Sequence, residues 1–321
     1  MLTKTRLYID FEQIEFINNI DFKITQNVDE HATLYLTAVL EDDSEVEYIR
    51  SITIYSCIEV EFGDDEEYKP IFNGVTKDIK VEELDKGFYS LTINAASKSF
   101  LIDLETKNKS FKNRYMTYEE MMQRAVLLPN PLGHVIVGEV VDNASCGKRI
   151  GKKNIIIFNE TPWEFLKRVA NHFETSLVPS LIDDIPKVYV GLPGKRYIGV
   201  IAEDRLYKTD NAETILAPFY NGSKLFIDLI LYHMDSFEDF DIGDETTSMF
   251  IDSKTGEPDM SVEFYISNKE IEIIDNTLIY HYGLSLIDYT LLPEARNEER
   301  WKELRKSLKS LEQKNNEEIP I

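Results

Sequence analysis

The sequence predicts an α+β protein, mostly β, in which two barrel-like antiparallel β domains are joined by an α/β middle domain. Short segments that alternate apolar and polar residues fill the first third of the chain and return in the last third. Capped helices and short β-branched runs lie between them. We predict a first β-barrel-like domain at 1–98, a middle domain at 99–195, a second β-barrel-like domain at 196–290 and a C-terminal helical tail at 291–321. They are called the first, middle and third segments and the tail.

The first segment carries the clearest strand patterns. Alternation over 32–40 places four apolar residues on one face: Leu34, Leu36, Ala38 and Leu40. Strands are also predicted at 6–11, 14–20 and 52–62, with a polar turn at Glu12 and Gln13. The strands predicted at 71–81 and 88–95 pair across the turn at 85–87. These patterns indicate an antiparallel sheet or barrel of about six or seven strands.

The middle segment has two helix starts. Thr161 and Glu164 form a capping box with Pro162 at the first helical position, and Thr117 and Glu120 form another, with a helix expected to about Leu128. The apolar run 155–158 predicts a buried strand before the first of these. Five residues recur at helical spacing after it and predict a core-facing stripe: Trp163, Leu166, Val169, Ala170 and Phe173.

The third segment returns to strands. We predict them at 225–232, 261–266, 270–274 and 277–282, and shorter ones in the middle segment at 135–137 and 187–190. In the tail, four residues follow a 3-4-3 spacing that makes a narrow apolar seam: Trp301, Leu304, Leu308 and Leu311.

Composition excludes several classes of protein. Hydrophobic residues make up 43% of the 321 residues and aromatics 11%, which excludes a disordered chain. No run approaches the ~20 apolar residues of a membrane helix, and the N-terminus lacks a signal-peptide core. The two cysteines give no disulfide framework: we expect Cys57 to be a small buried residue in a strand and Cys146 to lie in a polar loop. We expect synthesis in the cytoplasm.

The sequence contains none of the common catalytic or metal-binding motifs. There is no G-x-S-x-G, P-loop, H-E-x-x-H or C-x-x-C motif, and 191–195 is better explained as a turn than as a phosphate loop. The five histidines show no metal-ligand spacing: His31, His134, His172, His233 and His281. We therefore predict no catalytic, cofactor-binding or metal-binding residues, no cofactor, and a protein that is not an enzyme.

Three runs carry a resemblance to a known family. The first is NETPWEFLKRVA at 159–170. The second comprises IFNGV at 71–75, the step Leu101-Ile102-Asp103 and the helix start at 117–122. The third is FDIGD at 240–244. In order and spacing they resemble the hub proteins of contractile injection machines: phage baseplate hubs, phage late-control D proteins and the N-terminal hub part of VgrG spikes. The resemblance spans about residues 50–245.

This resemblance implies a mechanical function. Such hubs are homotrimers in which each subunit gives two barrels, so the ring adapts a six-fold tail tube to a three-fold central spike. The implied partners are two further copies of the chain, the tail tube protein, a separate spike protein and baseplate wedge components. Because the sequence ends soon after 240–244, we expect the spike to be a separate protein and not an attached domain. We expect assembly into a phage tail or a phage-tail-like particle, with phage, tailocin and other contractile systems all open.

The charge and the tail each allow two interpretations. A formal charge of −23 argues against a nucleic-acid-binding surface. The acidic clusters at 41–43, 64–67 and 235–245 are either solvated loop tips or the lining of a ring's bore. The tail either docks on its own domain or frays, or it makes a trimer contact or binds another baseplate component.

Two alternative functions remain: a tail-associated peptidoglycan hydrolase, and a distal-tail or tube-initiator protein of a non-contractile phage.

Overall fold

A computed structural model gives the architecture of most of the chain. It describes residues 4–10, 12–16, 20–40, 43–64, 67–85, 87–127, 134–137, 147–152, 154–173, 175–193, 196–202, 206–207, 230–251, 258–274 and 277–286. The tail with its Trp301–Leu311 seam, Cys146 and the predicted strand residues 225–229 lie outside this part.

The first segment contains seven described strands and a helix: β1 (Lys4–Ile9), β2 (Glu12–Phe16), β3 (Ile20–Asn27), β4 (Thr33–Leu40), α1 (Asp43–Ser51), β5 (Cys57–Gly63), β6 (Tyr68–Asp85) and β7 (Phe88–Ser97). The alternation predicted for β4 is confirmed, since its four named apolar residues are all buried. The pairing of β6 with β7 across the turn at 85–87 is confirmed too.

The middle segment opens with a 3-10 helix (Lys98–Asp103) and continues with β8 (Lys107–Phe111), α2 (Tyr118–Val126), β9 (His134–Val137), β10 (Ile155–Glu160), α3 (Pro162–His172), β11 (Leu177–Pro179) and β12 (Lys187–Val190). Strand β10 pairs with β8, while β12 lies between antiparallel β11 and parallel β9. The described strands of the third segment are β13 (Tyr197–Ala202), β14 (Leu206–Tyr207), β15 (Ile230–Ser236), β16 (Glu245–Ile251), β17 (Pro258–Ile274) and β18 (Thr277–Leu286).

One sheet of 13 described strands joins the first and third segments. Its main order is β14-β15-β18-β17-β3-β4-β7-β6-β5-β1-β2, with β16 also paired to β17 and β13 parallel to β16. The two segments meet where β3 and β17 run antiparallel, with Ile24 opposite Ile271. The chain is therefore mostly β, as predicted. Barrel closure and the division into these four parts stay predictions.

Two hydrophobic cores hold the fold together. The larger lines the sheet and takes members from all three segments, such as Ile24, Val178 and Ile271. The smaller packs the helices α2 and α3 around residues such as Phe111, Phe165 and Val188. Burial of large apolar side chains of this kind stabilises by about 1.5–3 kcal/mol each. No helix of the described residues is long and apolar enough to cross a membrane.

The segment between β4 and β5 corrects the sequence prediction. A strand was expected over 52–62, and it begins only at Cys57. The residues before it also form a helix that was not predicted, α1 at 43–51. Val46 and Ile49, three residues apart, turn the same face of α1 to the core, and they are 2% and 1% exposed. Asp43 therefore begins a helix instead of lying at a loop tip.

Cys57 is exposed, which corrects the expectation of a buried residue. It stands at the first position of β5, where its backbone N–H donates to Oδ1 of Asp10 at 2.8 Å. The next residue, Ile58, faces the core at 1% exposure, so strand alternation turns the thiol outward.

Three further predictions change in detail. Glu12 and Gln13 belong to β2 and not to a turn. The strands predicted at 261–266 and 270–274 are one long strand, β17, with an irregularity between Ile266 and Asn268 that the sequence pattern shows as a gap. Strand β10 is present, but of its apolar run only Ile157 is fully buried, because β10 belongs to a two-stranded sheet.

Substitution of Gly74 in β6 tests how closely the neighbouring backbone and side chains approach this strand. A Cβ atom there would lie 2.2 Å from the backbone oxygen of Ala96 and 2.6 Å from the ring of Phe72. Because backbone cannot yield as a flexible side chain does, we expect Gly74→Ala to destabilise by about 1–3 kcal/mol in denaturant unfolding. The control is Gly87→Asn, at a positive φ with open space around it, where we expect a loss below about 1 kcal/mol. Equal losses at the two sites would contradict the close approach at Gly74.

Candidate functional site

The strongest family-like run forms the turn from β10 into α3. Asn159 has a φ of 50°, and its N–H donates to Oδ1 of Asn108 at 3.0 Å. The predicted capping box is confirmed: Thr161 Oγ1 accepts from the N–H of Glu164 at 3.1 Å, and the N–H of Thr161 donates to Glu164 Oε2 at 2.8 Å. The second capping box, at Thr117 and Glu120, is confirmed in the same way at the start of α2.

Thr161 has a second partner from another family-like run. Its hydroxyl donates to a carboxylate oxygen of Asp103, at the end of the 3-10 helix. The same oxygen atom thus caps α3 and ties it to a segment 58 residues earlier. The structure therefore brings together two of the runs that carry the resemblance.

His31 extends this contact into the first segment. Its Nε2 lies 3.2 Å from Oδ2 of Asp103, and its Nδ1 lies 2.9 Å from Oγ of Ser99. Ser99 is hydrogen-bonded to Ser97 at 2.8 Å, and Ser97 Oγ accepts from the N–H of Ala32. We call His31, Ser97, Ser99, Asp103 and Thr161 the His31 network.

Aromatic rings enclose the network. The ring centroids of His31 and Trp163 are 4.0 Å apart at an interplanar angle of 37°, and Phe100 meets His31 edge-on at 5.6 Å. Trp163 is 4% exposed and belongs to the core-facing stripe of α3. The predicted core role of Trp163 is confirmed, and the residue has the additional role of packing on His31.

The electrostatics of Asp103 favour its charged form. Burial by itself raises the pKa of this carboxyl, but the hydrogen bonds from His31 and Thr161 and the positive charge of Lys167 outweigh burial and leave the pKa below its ordinary value. The carboxylate is therefore a stabilising acceptor at neutral pH.

The connectivity Ser99–His31–Asp103 is similar to that of a catalytic triad, but its geometry argues for a clamp. The serine bonds Nδ1 and the carboxylate Nε2, the reverse of the arrangement in serine proteases. Ser99 Oγ is also held by Ser97, and both serines are at most 1% exposed. A nucleophile needs access to substrate, whereas these groups are enclosed between segments. The His31 network can therefore fix the first segment to the middle segment.

The IFNGV run in β6 docks on the middle segment as well. The N–H of Asn73 donates to the carbonyl of Leu181, and its side-chain amide donates to Oδ1 of Asp184 at 3.1 Å. From β3, the side-chain amide of Gln26 donates to the carbonyl of Pro179 at 2.7 Å. The turn after β3 adds Asp29, whose N–H and carboxylate bind the backbone of Leu177.

The FDIGD run forms a second tied loop, in the third segment. Asp244 accepts from the backbone N–H of Arg196 at 2.9 Å, from its guanidinium at 3.0 Å and from the N–H of Asp241 at 3.1 Å. Gly243 has a φ of 100°, and its N–H donates to Ile266. The side chain of Asp244 is 2% exposed, so this member of the 235–245 cluster is neither a solvated loop tip nor a bore residue.

Sequence reasoning missed His31. It treated all five histidines as scattered, because the two polar partners of His31 lie 68 and 72 residues away and no spacing rule connects them. Of the other histidines, His172 lies against Tyr118 on the helical core, and His281 pairs with Asp235 at 2.7 Å. Gln26 and Asp29 were missed for the same reason.

Comparisons with known proteins bear on the fold. No family model and no curated protein matches the chain. Among solved structures, the 43 kDa tail protein of prophage MuSo2 from Shewanella oneidensis is 14% identical, with a TM-score of 0.60 over 88% of this chain and 98% of its own. The tail protein from Neisseria meningitidis MC58 is also 14% identical, with a TM-score of 0.59 over 92% and 99%.

A third similar structure belongs to a secretion machine. It is an Escherichia coli component of the type VI secretion system, described as structurally similar to the bacteriophage T4 tail proteins gp27 and gp5. Its identity is 10% and its TM-score 0.52, over 84% of this chain and 74% of its own. At such identities the likeness establishes the fold, which is that of phage tail proteins and of this secretion component.

The variant Thr161→Ala tests the two roles of the Thr161 hydroxyl, which caps α3 and donates to Asp103. Loss of an N-cap costs about 1 kcal/mol, and loss of the bond to Asp103 adds the cost of leaving one oxygen of a partly buried carboxylate without a donor. We expect a loss of about 2 kcal/mol or more in denaturant unfolding. Thr117→Ala removes the matching cap of α2 and is the control, with an expected loss of about 1 kcal/mol. If both variants lose the same amount, the contact with Asp103 contributes nothing.

The pH dependence of stability tests Asp103. Its pKa is lower in the folded protein than in the unfolded chain, so the unfolded chain binds the proton more readily as the solution is acidified. The stabilisation is complete above the ordinary value of about 4 and is lost as the pH falls through the lowered value. Urea unfolding between pH 7 and pH 3 should therefore show a shallower acid loss in Asp103→Asn than in the parent.

The control for this series is Asp78→Asn, which removes an exposed carboxylate on β6. This variant should keep the acid slope of the parent protein. A parent slope in Asp103→Asn would contradict the stabilising role of the Asp103 carboxylate.

Proposed function

We propose that this chain is the structural hub of the baseplate in a contractile phage tail or phage-tail-like particle, and that three copies form a ring between a six-fold tail tube and a three-fold central spike. The observation that carries the proposal is the sheet in which the first and third segments join at β3 and β17. The same fold occurs in phage tail proteins over 88–92% of this chain.

The symmetry of the proposed ring explains why a joined sheet would suit a hub. Each copy offers two β halves, so a ring of three copies presents six such halves to the tube and keeps three-fold symmetry toward the spike. Pairing along β3 and β17 also removes two strand edges that would otherwise promote uncontrolled association.

The His31 network supports a mechanical function. A hub transmits force between the tube and the spike, so its segments must not shift relative to each other. The network, together with the contacts of Gln26, Asp29 and Asn73, ties the first segment to the middle one at several points. We propose that the protein acts without enzymatic chemistry and that its partners are the tube protein, a separate spike protein and baseplate wedge components.

The assembly state tests this function. Native mass spectrometry and light scattering of the full chain, alone and with the tube or spike protein, should show a trimer or a trimer completed by either partner. A similarly acidic monomeric protein mixed with the tube protein controls for nonspecific association. A chain that stays monomeric in every mixture contradicts the hub, and release of fragments from purified peptidoglycan would point instead to the hydrolase alternative.

A further inference from the structure

Charge is divided unevenly along the chain. Residues 1–98 carry 21 acidic and 9 basic side chains, and residues 196–290 carry 19 and 6. Residues 99–195, in contrast, carry 11 acidic and 13 basic side chains. The two β segments are therefore strongly negative, and the middle segment between them is slightly positive. Copies packed side by side through their β segments alone would repel each other.

An exposed aromatic residue marks the positive surface of the middle segment. Tyr115 is 57% exposed, and the guanidinium carbons of Arg114 and Arg149 lie 4.7 and 5.6 Å from its ring centroid. Lys148, directly before Arg149 in the chain, is exposed as well. We call these four residues the Tyr115 surface. Tyrosine and arginine are the residue types that dominate binding energy at protein interfaces.

The backbone holds this surface in place. The N–H of Tyr118 donates to Lys148 at 3.1 Å, the N–H of Ile150 donates to Met116 at 2.9 Å, and Thr117 and Arg149 form a β-bridge. Since Thr117 is the N-cap of α2, the surface is attached to a helix end packed in the smaller core. It is ordered before any partner binds, which lowers the entropic cost of association.

A second surface has the complementary character. Ile182 and Ile185 are 53% and 47% exposed and flank Asp183 and Asp184 in the loop before β12. Glu59 of β5 is close enough to Asp184 for their charges to interact: burial first, then the negative charges of Glu61 and Asp184, raise the pKa of Glu59, and Lys98 offsets this only in part. We call Glu59, Ile182, Asp184 and Ile185 the Ile182 surface. Lys98 lies beside them, with its ammonium donating to the backbone carbonyl of Asp184 at 2.6 Å, so its charge balances one of the two carboxylates.

We infer that the Tyr115 surface of one copy binds the Ile182 surface of the next copy, with arginines on carboxylates and the tyrosine ring on the two isoleucines. Different patches on the two partners make the contact head-to-tail, the type that generates a ring when the rotation between copies closes, as the proposed trimer requires. The inference rests on the proposed trimer and names the contact that would build it.

A second copy is the occupant that the charges favour. The chain's formal charge of −23 opposes approach to a nucleic acid, although the Tyr115 surface by itself would attract phosphates. The opposite charge needed by the Tyr115 surface is present on the chain itself, and a contact between unlike surfaces also relieves the repulsion between the acidic β segments.

Charge reversal tests the contact. Arg114→Glu and Asp184→Lys should each weaken self-association of the full chain about ten-fold or more in sedimentation at about 50 mM salt, and combining them should restore it. Lys69→Glu, an exposed lysine on β6, gives the same charge change as Arg114→Glu outside either surface and should leave association unchanged. Asp184→Asn keeps an acceptor for Asn73 and guards against misfolding of the lysine variant. The parent trimer should also weaken as salt rises to about 500 mM.

The outcomes separate this inference from the proposed function. Weakening by each reversal with recovery in the pair supports the contact. A parent trimer that neither reversal affects overturns the contact while the hub stands. Absence of any trimer in the parent, with or without tube and spike proteins, overturns both. Binding of a single-stranded oligonucleotide that Arg114→Glu abolishes, with the trimer unaffected, would assign the Tyr115 surface to nucleic acid instead.

Discussion

Strand β3 is paired on both edges, and this double pairing holds the first and third segments together. Strand β3 pairs with β4 of its own segment on one edge and with β17 of the third segment on the other. Its end and the following turn hold the middle segment through Gln26 and Asp29. Lys23 forms exposed ion pairs with Glu270 and Glu272, but pairs of this kind contribute little. The buried pair of Ile24 and Ile271 contributes more, because its apolar area is removed from water.

The family-like runs have one property in common: their residues make contacts that hold the fold together. Thr161 and Asp103 join α3 to the 3-10 helix, Gly74 allows β6 to approach β7, and Asp244 ties its loop to Arg196. Each residue makes a contact between distant parts of the chain, and none of them is arranged around an accessible reactive group. The most recognisable residues of this chain therefore determine its shape. This agrees with the proposed function, in which the protein holds two assemblies in register.

Local patterns allowed much of the fold to be predicted. Capping boxes at Thr117 and Thr161, the alternation of β4 and the hairpin of β6 and β7 depend on neighbours within a few residues. The contacts of His31, the burial of Asp244 and the junction of β3 with β17 depend on partners dozens to hundreds of residues away, for which one sequence gives no spacing signal. Helix α1 was missed because its short apolar pattern runs into a segment that also fits a strand.

Amide hydrogen exchange along β3 and β17 tests whether the two strands form one cooperative unit. If the two strands form the seam that unites the protein, the amides of 20–27 and 268–272 will be among the slowest to exchange and will open together with the same free energy. Earlier exchange of 268–272, while 20–27 stays protected through β4, would show that the third segment opens by itself. That result would contradict a single mechanical unit built on β3.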